Sequence, residues 1–282
     1  VKLELTFRET GALYLCDHLI KSVQSLMSAR RKRKSSRWPW LIVFLLLLLA
    51  VGWFSYRWLI YRKVKFTRYP EFGIGIPNNY EIHGIDVSRY QQLIAWEEVK
   101  DMEVDGIKLG FAFIKATEGL GNTDPQFHRN WRRSRSENVV RGAYHFFIAS
   151  KDGKMQAENF IKRVDLESGD LPPVLDVEQR NGVSKEQLRK EVKKWLATVE
   201  NYYKVKPIIY TNVDFYVQNL GRDFDDYPLW VAHYYQQQQP RISRHWHFWQ
   251  HSDQGRVNGI IPKVDFNVFR GDSLEFKELL VP

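Results

Sequence analysis

The sequence predicts an α/β domain closed into an irregular β/α barrel of the TIM type, preceded by one transmembrane helix. Three observations carry that expectation. Nineteen residues from Trp38 to Tyr56 hold no formal charge, eight short apolar runs recur from Ile82 onward, and stretches of helical apolar spacing separate several of those runs. Strand–helix alternation over about 200 residues calls for a parallel sheet, and a closed barrel suits that size. The chain has 282 residues, ordinary apolar and charged fractions and a single Cys, which excludes disorder, collagen-like repeats and a disulfide scaffold.

The net charge of +9 divides unevenly. Residues 1–70 hold 14 Lys and Arg against 3 Asp and Glu, and the other 212 residues hold 28 against 30, so the first quarter carries +11 and the remainder −2. The pI near 9.4 therefore belongs to a basic tail and gives no reason to expect nucleic acid as a partner.

The uncharged stretch centres on Leu41–Ala50. As a helix it would span about 28 Å, close to the hydrocarbon thickness of a bilayer. Trp38 and Trp40 on one side, and Trp53, Tyr56, Trp58 and Tyr61 on the other, suit the two interfaces. The block Arg30–Lys34 with Arg37 is denser in positive charge than Arg57, Arg62, Lys63, Lys65 and Arg68 after the span, which puts the N-terminus in the cytoplasm. A cleaved signal would need a small-x-small site, and Ala50-Val-Gly52 is followed at once by bulky Trp53-Phe54. Residues 1–37 are thus expected as a cytoplasmic basic tail and 38–60 as a signal anchor. Residues 61–81, with Pro70, Gly73, Gly75, Pro77, Asn78 and Asn79, read as a linker, and 82–282 as the extracytoplasmic domain. Met27-Ser-Ala-Arg-Arg would make a natural translation start, leaving 1–26, with Cys16, untranslated.

Within the domain the expected strands are Ile82–Val87, Phe111–Ala116, Val139–Phe147, Pro173–Val177, Pro207–Tyr210, Leu229–Ala232, His247–Trp249 and Val264–Val268. Leu93–Val104, Pro125–Asn138, Lys154–Val164 and Ser184–Tyr203 carry i, i+3, i+4 apolar spacing, and Ser184 with Gln187 three residues on reads as a capping box. Connections after Pro207 are shorter and less helical, so the repeats are expected to be unequal.

Barrel chemistry sits at the C-terminal ends of strands. Those ends here hold Asp86, Thr117-Glu118, Tyr144-His145, Asp176 with Glu178, Tyr210, Trp230 with His233, and Trp249-Gln250, while Asp265 interrupts the last run. Four carboxylates among aromatic rings suit a carbohydrate site. Asp176 and Glu178, two apart on a strand, share a face with Cα atoms ~6.6 Å apart. Carboxylates that close resist joint ionisation, so one is expected to keep a proton toward neutral pH and to serve as a general acid. Other readings stand beside these: Asp86 as a helix cap, Glu118 as a turn residue, and His145 as a hydrogen-bonded core histidine. His245 and His247 alternate on a strand but lack a third partner, so no metal is expected.

The strings His83-Gly-Ile-Asp-Val-Ser-Arg-Tyr-Gln91, Phe113-Ile-Lys-Ala-Thr-Glu-Gly119, Arg141-Gly-Ala-Tyr-His-Phe-Phe147, Leu171-Pro-Pro-Val-Leu-Asp-Val-Glu178, Ile209-Tyr-Thr-Asn212, Leu229-Trp-Val-Ala232 and Phe248-Trp-Gln-His-Ser252 occur in this order. Together they resemble the glycoside hydrolase family 25 lysozymes, the N,O-diacetylmuramidases, from about Ile82 to Asp272. The resemblance implies a flattened, incomplete β/α barrel that cuts the β-1,4 bond between N-acetylmuramic acid and N-acetylglucosamine in peptidoglycan glycan strands, with no cofactor. It implies Glu178 as the proton donor to the leaving oxygen and Asp176 as the support of a 2-acetamido group that attacks the anomeric carbon, which is substrate-assisted retention. It further implies Asp86 and Asp265 as shaping the site, and Tyr144, Tyr210, Trp230 and Gln250 as sugar contacts. His251 departs from the family, where tyrosine is commoner, and Arg132–Arg135 is unusually basic. Two rival readings are a peptidoglycan-binding protein without turnover and a membrane-anchored scaffold.

Overall fold

The computed structural model describes residues 38–61, 65–236 and 239–282. The basic tail 1–37, with Met27 and Cys16, and Arg62 and Lys63 lie outside the described residues. The chain divides into two compact units, with the boundary after Trp58. Helix α1 (Trp38–Tyr61) begins in the first; its Trp38–Trp58 portion carries one charge, Arg57, has mean hydropathy 2.1 and is exposed along its length. It is long and apolar enough to cross a membrane.

The second unit opens with strands β1 (Phe66–Tyr69) and β2 (Ile74–Pro77), paired antiparallel from Phe66 opposite Pro77 to Tyr69 opposite Ile74. Gly73 at φ +69° closes the turn, and its N–H donates to Tyr69 O at 2.9 Å. Phe72, Ile74 and Ile76 are buried in the main core. The stretch expected as a tether is therefore a hairpin of the domain over 66–77: its Gly and Pro shape a turn, and its apolar residues find a partner only in tertiary structure.

The barrel consists of β3 (His83–Val87), β5 (Ile107–Glu118), β7 (Val140–Phe146), β8 (Val174–Asp176), β9 (Ile208–Asn212), β10 (Leu229–Ala232), β11 (Phe248–Val257) and β12 (Ile260–Phe269). Each falls on one of the eight expected runs. They pair in the order β3-β12-β11-β10-β9-β8-β7-β5, and β5 pairs back to β3, which closes an eight-stranded barrel. Seven strands run parallel, and β12 is antiparallel to both neighbours. That reversal follows from the tight Asn258-Gly259 turn, with Gly259 at φ +80°, which returns the chain directly with no crossover helix.

Two short strands, β4 (Glu103–Val104) and β6 (Asn122–Thr123), pair antiparallel with β5. Asp105 and Gly106 both have positive φ in the β4–β5 turn, the primed geometry that Asp-Gly favours. That turn is why α2 (Trp96–Asp101) is shorter than the helix expected over 93–104. Helices α3 (Phe127–Ser136), α4 (Gly153–Ile161) and α5 (Lys185–Tyr203) match expectation. Ser184 caps α5 by accepting from Gln187 N–H at 3.2 Å, but Gln187 donates to Glu191 Oε1, so only half of the expected capping box forms.

Period-two alternation sorts the strands into two cores. Phe111, Phe113, Val174, Ile208, Trp230, Phe248 and Phe269 point into the barrel, and α6 (Ser273–Leu279) plugs its lower end with Phe276. Ala112, Ile114, Leu175, Ile209, Val231 and Trp249 point outward to the helices and the hairpin. A Cβ on Gly84 or Gly142 would stand 2.6 Å from the rings of Phe111 or Phe113, so glycine there is what admits both rings. Arg141, on β7, is buried against the Trp131 ring at 3.9 Å and donates to Asp170 at 2.8 and 3.1 Å and to Trp131 O at 2.6 Å. It ties α3 and β7 to the chain entering β8.

Candidate active site

The same alternation continues above the apolar plug. Two residues beyond these inward positions, the next inward residue turns polar: Asp86 follows Gly84, Lys115 follows Phe113, Tyr144 follows Gly142, Asp176 follows Val174, Tyr210 follows Ile208 and Gln250 follows Phe248. Asp86, Asp176, Glu178 and Asp265, with Tyr144, Tyr210, Trp230 and Gln250, line one cavity of about 270 Å³ at the C-terminal mouth. All eight residues singled out from the sequence are thus brought together.

Reversal of β12 sets Asp265 directly opposite Asp86 across the β3–β12 pair. Asp86 Oδ2 accepts from Gln250 Nε2 at 2.7 Å and from Asn267 Nδ2 at 2.8 Å. Burial raises Asp86 to about 6 despite those donors, and burial with the Asp86 charge beside it raises Asp265 to about 9. Asp265 accordingly keeps its proton at neutral pH and donates it toward Asp86, one proton serving two carboxyls. Asp86 caps no helix; Ser88 does, accepting from Tyr90 N–H, with Gln91 completing the box.

Across the mouth, burial pushes Asp176 well up, and the Glu178 charge pushes it further. Glu178 is also raised by burial. Asp176 Oδ1 is buried without a hydrogen-bond partner. Lys115, anchored by Glu118 at 2.7 Å and set over the Phe146 ring at 4.7 Å, is the cation that opposes both upward shifts.

Two of these lining residues also brace the site from within. Gln250 is 2% exposed, and its amide is held at both ends: Oε1 accepts from Tyr210 Oη at 2.7 Å and from Tyr234 Oη at 2.5 Å, while Nε2 donates to Asp86. Trp230 stacks on Phe113 at 4.2 Å and donates its Nε1–H to Asn267 Oδ1 at 2.7 Å. Tyr234 and Asn267 were not singled out from the sequence. Asn267 was legible, lying two residues from Asp265 on the same face; Tyr234, in an aperiodic loop, left no signal. His145 is a buried core histidine between Thr117 Oγ1 at 2.7 Å and Gln156 Oε1 at 3.3 Å, lowered to about 3 by burial. Among the described residues no cluster of three or more His, Cys, Asp or Glu could hold a metal ion.

Paired carboxyls at the open end of an aromatic-filled β/α barrel are the equipment a glycoside hydrolase uses. Comparison with known proteins agrees. The profile of glycosyl hydrolases family 25 matches residues 85–260. The Escherichia coli (strain K12) uncharacterized protein YegX is 52% identical over 211 residues, covering 75% of this chain and 76% of its own. Lysozyme M1 of Streptomyces globisporus is 33% identical over 219 residues, covering 71% of each. A solved family 25 glycosyl hydrolase from Bacillus anthracis superposes with a TM-score of 0.67 at 31% identity, covering 75% of this chain and 98% of that one. The chain belongs to glycosyl hydrolases family 25.

Proposed function

We propose that the protein is a membrane-anchored muramidase that cuts the β-1,4 bond between N-acetylmuramic acid and N-acetylglucosamine with retention, through the substrate's own acetamido group. The observation that carries this reading is the pairing of Glu178 with the buried Asp176, whose Oδ1 has no partner within the protein. Before substrate binds, the deeper Asp176 competes with Glu178 for the shared proton. An acetamido N–H donated to Asp176 Oδ1 would favour its charged form and leave the proton on Glu178.

Glu178 then protonates the leaving oxygen while the acetamido carbonyl oxygen attacks the anomeric carbon. The C–O bond to the leaving sugar breaks as the new C–O bond forms, and Asp176 supports the positive charge that develops on the ring nitrogen. Glu178, now a carboxylate, takes a proton from water as the water opens the cyclic intermediate. The Asp86–Asp265 pair, oriented by Gln250 and Asn267, adds at most one negative charge beside this centre at neutral pH. Helix α1 supports single-pass anchoring with the N-terminus cytoplasmic and the barrel on the wall side, since the basic residues are denser before the span.

The test is release of reducing ends from purified peptidoglycan, with mass spectrometry of the products. Glu178→Gln is expected to lose at least a thousandfold in kcat with its melting temperature kept. Products ending in N-acetylglucosamine, or undiminished turnover in the variant, would refute the assignment.

A further inference from the structure

A second cavity of about 540 Å³, against about 270 Å³ for the mouth, opens beside it at the C-terminal end of the strands. Its walls are Arg89 in the turn after β3, Lys115 and Glu118 at the end of β5, and β6 folded back on that end. Lys115 lines both cavities, so the two meet at its side chain. They meet again at a stacked pair. Tyr90 lines the mouth, Arg89 lines the second cavity, and the Arg89 guanidinium lies over the Tyr90 ring at 5.3 Å. Both side chains are exposed, Tyr90 by 68%, so a ligand can reach them.

The walls are fixed from behind. Buried Asn159 of α4 donates from Nδ2 to Gly119 O at 3.1 Å and to Asn122 O at 3.4 Å, and Arg163 Nε donates to Thr123 Oγ1 at 3.1 Å. Charge within the cavity is divided unevenly. Glu118 is paired with Lys115 at 2.7 Å, and buried Asp124 accepts from the backbone N–H groups of Arg89 and Gln126, each at 2.9 Å. Arg89 has no carboxylate within ion-pairing distance among the described residues, so its guanidinium is the cation left to meet a ligand. An open guanidinium fork beside the Asn122 amide suits an acidic peptide, whose carboxylate fits the fork and whose amide bonds fit the side-chain amide.

We infer that this second cavity receives the acidic peptide branch of a muramic acid held in the mouth, with a peptide carboxylate on the Arg89 guanidinium. The identity of the ligand rests on the muramidase reading. Muramic acid carries its peptide through a lactyl ether on C3, the carbon next to the acetamido group that Asp176 supports. Lys115, whose charge acts on Asp176, is also the residue common to both cavities. A substituent leaving C3 therefore passes along Lys115 from the mouth into the second cavity. Arg89 makes the enzyme favour strands whose peptides keep free carboxylates.

The experiment uses the full chain in detergent, carrying Glu178→Gln so that ligand survives, with affinity measured by calorimetry. The probes are a peptide-bearing glycan fragment with free peptide carboxylates and the same fragment with those carboxyls converted to amides. Arg89→Ala, at an exposed position and with the backbone bond to Asp124 kept, is expected to weaken binding of the acidic fragment about tenfold, the scale of a charge-assisted contact, and to leave the amidated fragment unchanged. Arg89→Lys keeps the charge and should recover part of the loss. Arg132→Ala removes an exposed positive charge on α3 and should change neither affinity. Equal affinity for the two fragments with Arg89 in place, unchanged or equal loss of both in Arg89→Ala, or the same loss in Arg132→Ala, overturns the site. Failure of the unsubstituted enzyme to release reducing ends from peptidoglycan would instead strike the muramidase reading, since the carboxylate-dependent binding is measured without turnover.

Discussion

Asp265 permits a prediction that can be worked through. Its carboxyl ordinarily titrates near 3.8 and is raised to about 9 in the folded protein, by burial first and by Asp86 second. A raised acid binds its proton more tightly folded than unfolded. The resulting stabilisation is complete at low pH, shrinks as pH climbs above 3.8, and vanishes as pH passes through the folded value. Between pH 7 and 9 the unfolded chain is already ionised, so each pH unit removes up to about 1.4 kcal/mol. Allowing for the flattening near the folded value, Asp265 alone should account for about 2 kcal/mol of lost stability over that interval. Asn is isosteric, can still donate to Asp86, and cannot ionise. Urea unfolding of the parent and Asp265→Asn at pH 7, 8 and 9 reads the contribution of the Asp86–Asp265 pair, because titrating groups remote from it are common to both. The gap between the two should change by about 2 kcal/mol, equivalent to roughly 4–8 °C in melting temperature for a domain of this size. Parallel pH dependences would refute the shared-proton description of the Asp86–Asp265 pair.

Tyr234→Phe removes one of the two hydroxyl donors on Gln250 Oε1; kcat should fall about three- to tenfold while KM and melting temperature change little, measured by steady-state kinetics on soluble glycan. Arg141→Lys loses the bidentate contact to Asp170 and the stacking on Trp131, and should cost about 3–5 kcal/mol in chemical denaturation without shifting the activity pH profile. Deleting residues 1–60 should move the protein from the membrane pellet to the soluble fraction with its activity retained; a truncated form that still sediments with membranes would dissociate anchoring from α1.

The barrel strands could be read from the sequence because each carries its own apolar run, whereas the hairpin could not. Phe66, Phe72, Ile74 and Ile76 are spaced among Gly and Pro too sparsely to announce a sheet, and they become apolar core only against the barrel wall. Asp105-Gly106 differs: the dipeptide is itself a hairpin signal, but it is hidden behind Leu93–Val104, which satisfies a helical period just before it. At the mouth the inward carboxylates follow from two-residue alternation. The division of labour among polar side chains does not. Gln250 and Trp230 read as sugar contacts from their positions, and only three-dimensional packing reveals that Tyr210, Tyr234, Asp86, Phe113 and Asn267 already occupy their polar edges and faces. Tyr234 depends on a loop whose path no local pattern dictates.

The reversed strand has one more consequence. Because β12 is the last barrel strand made and inserts between β11 and β3, the Asp86–Asp265 couple forms only when Ile260–Phe269 returns to meet β3. A nascent chain that has already exposed Glu178 still lacks the partner that neutralises Asp86, and the wall of the mouth beside it is open.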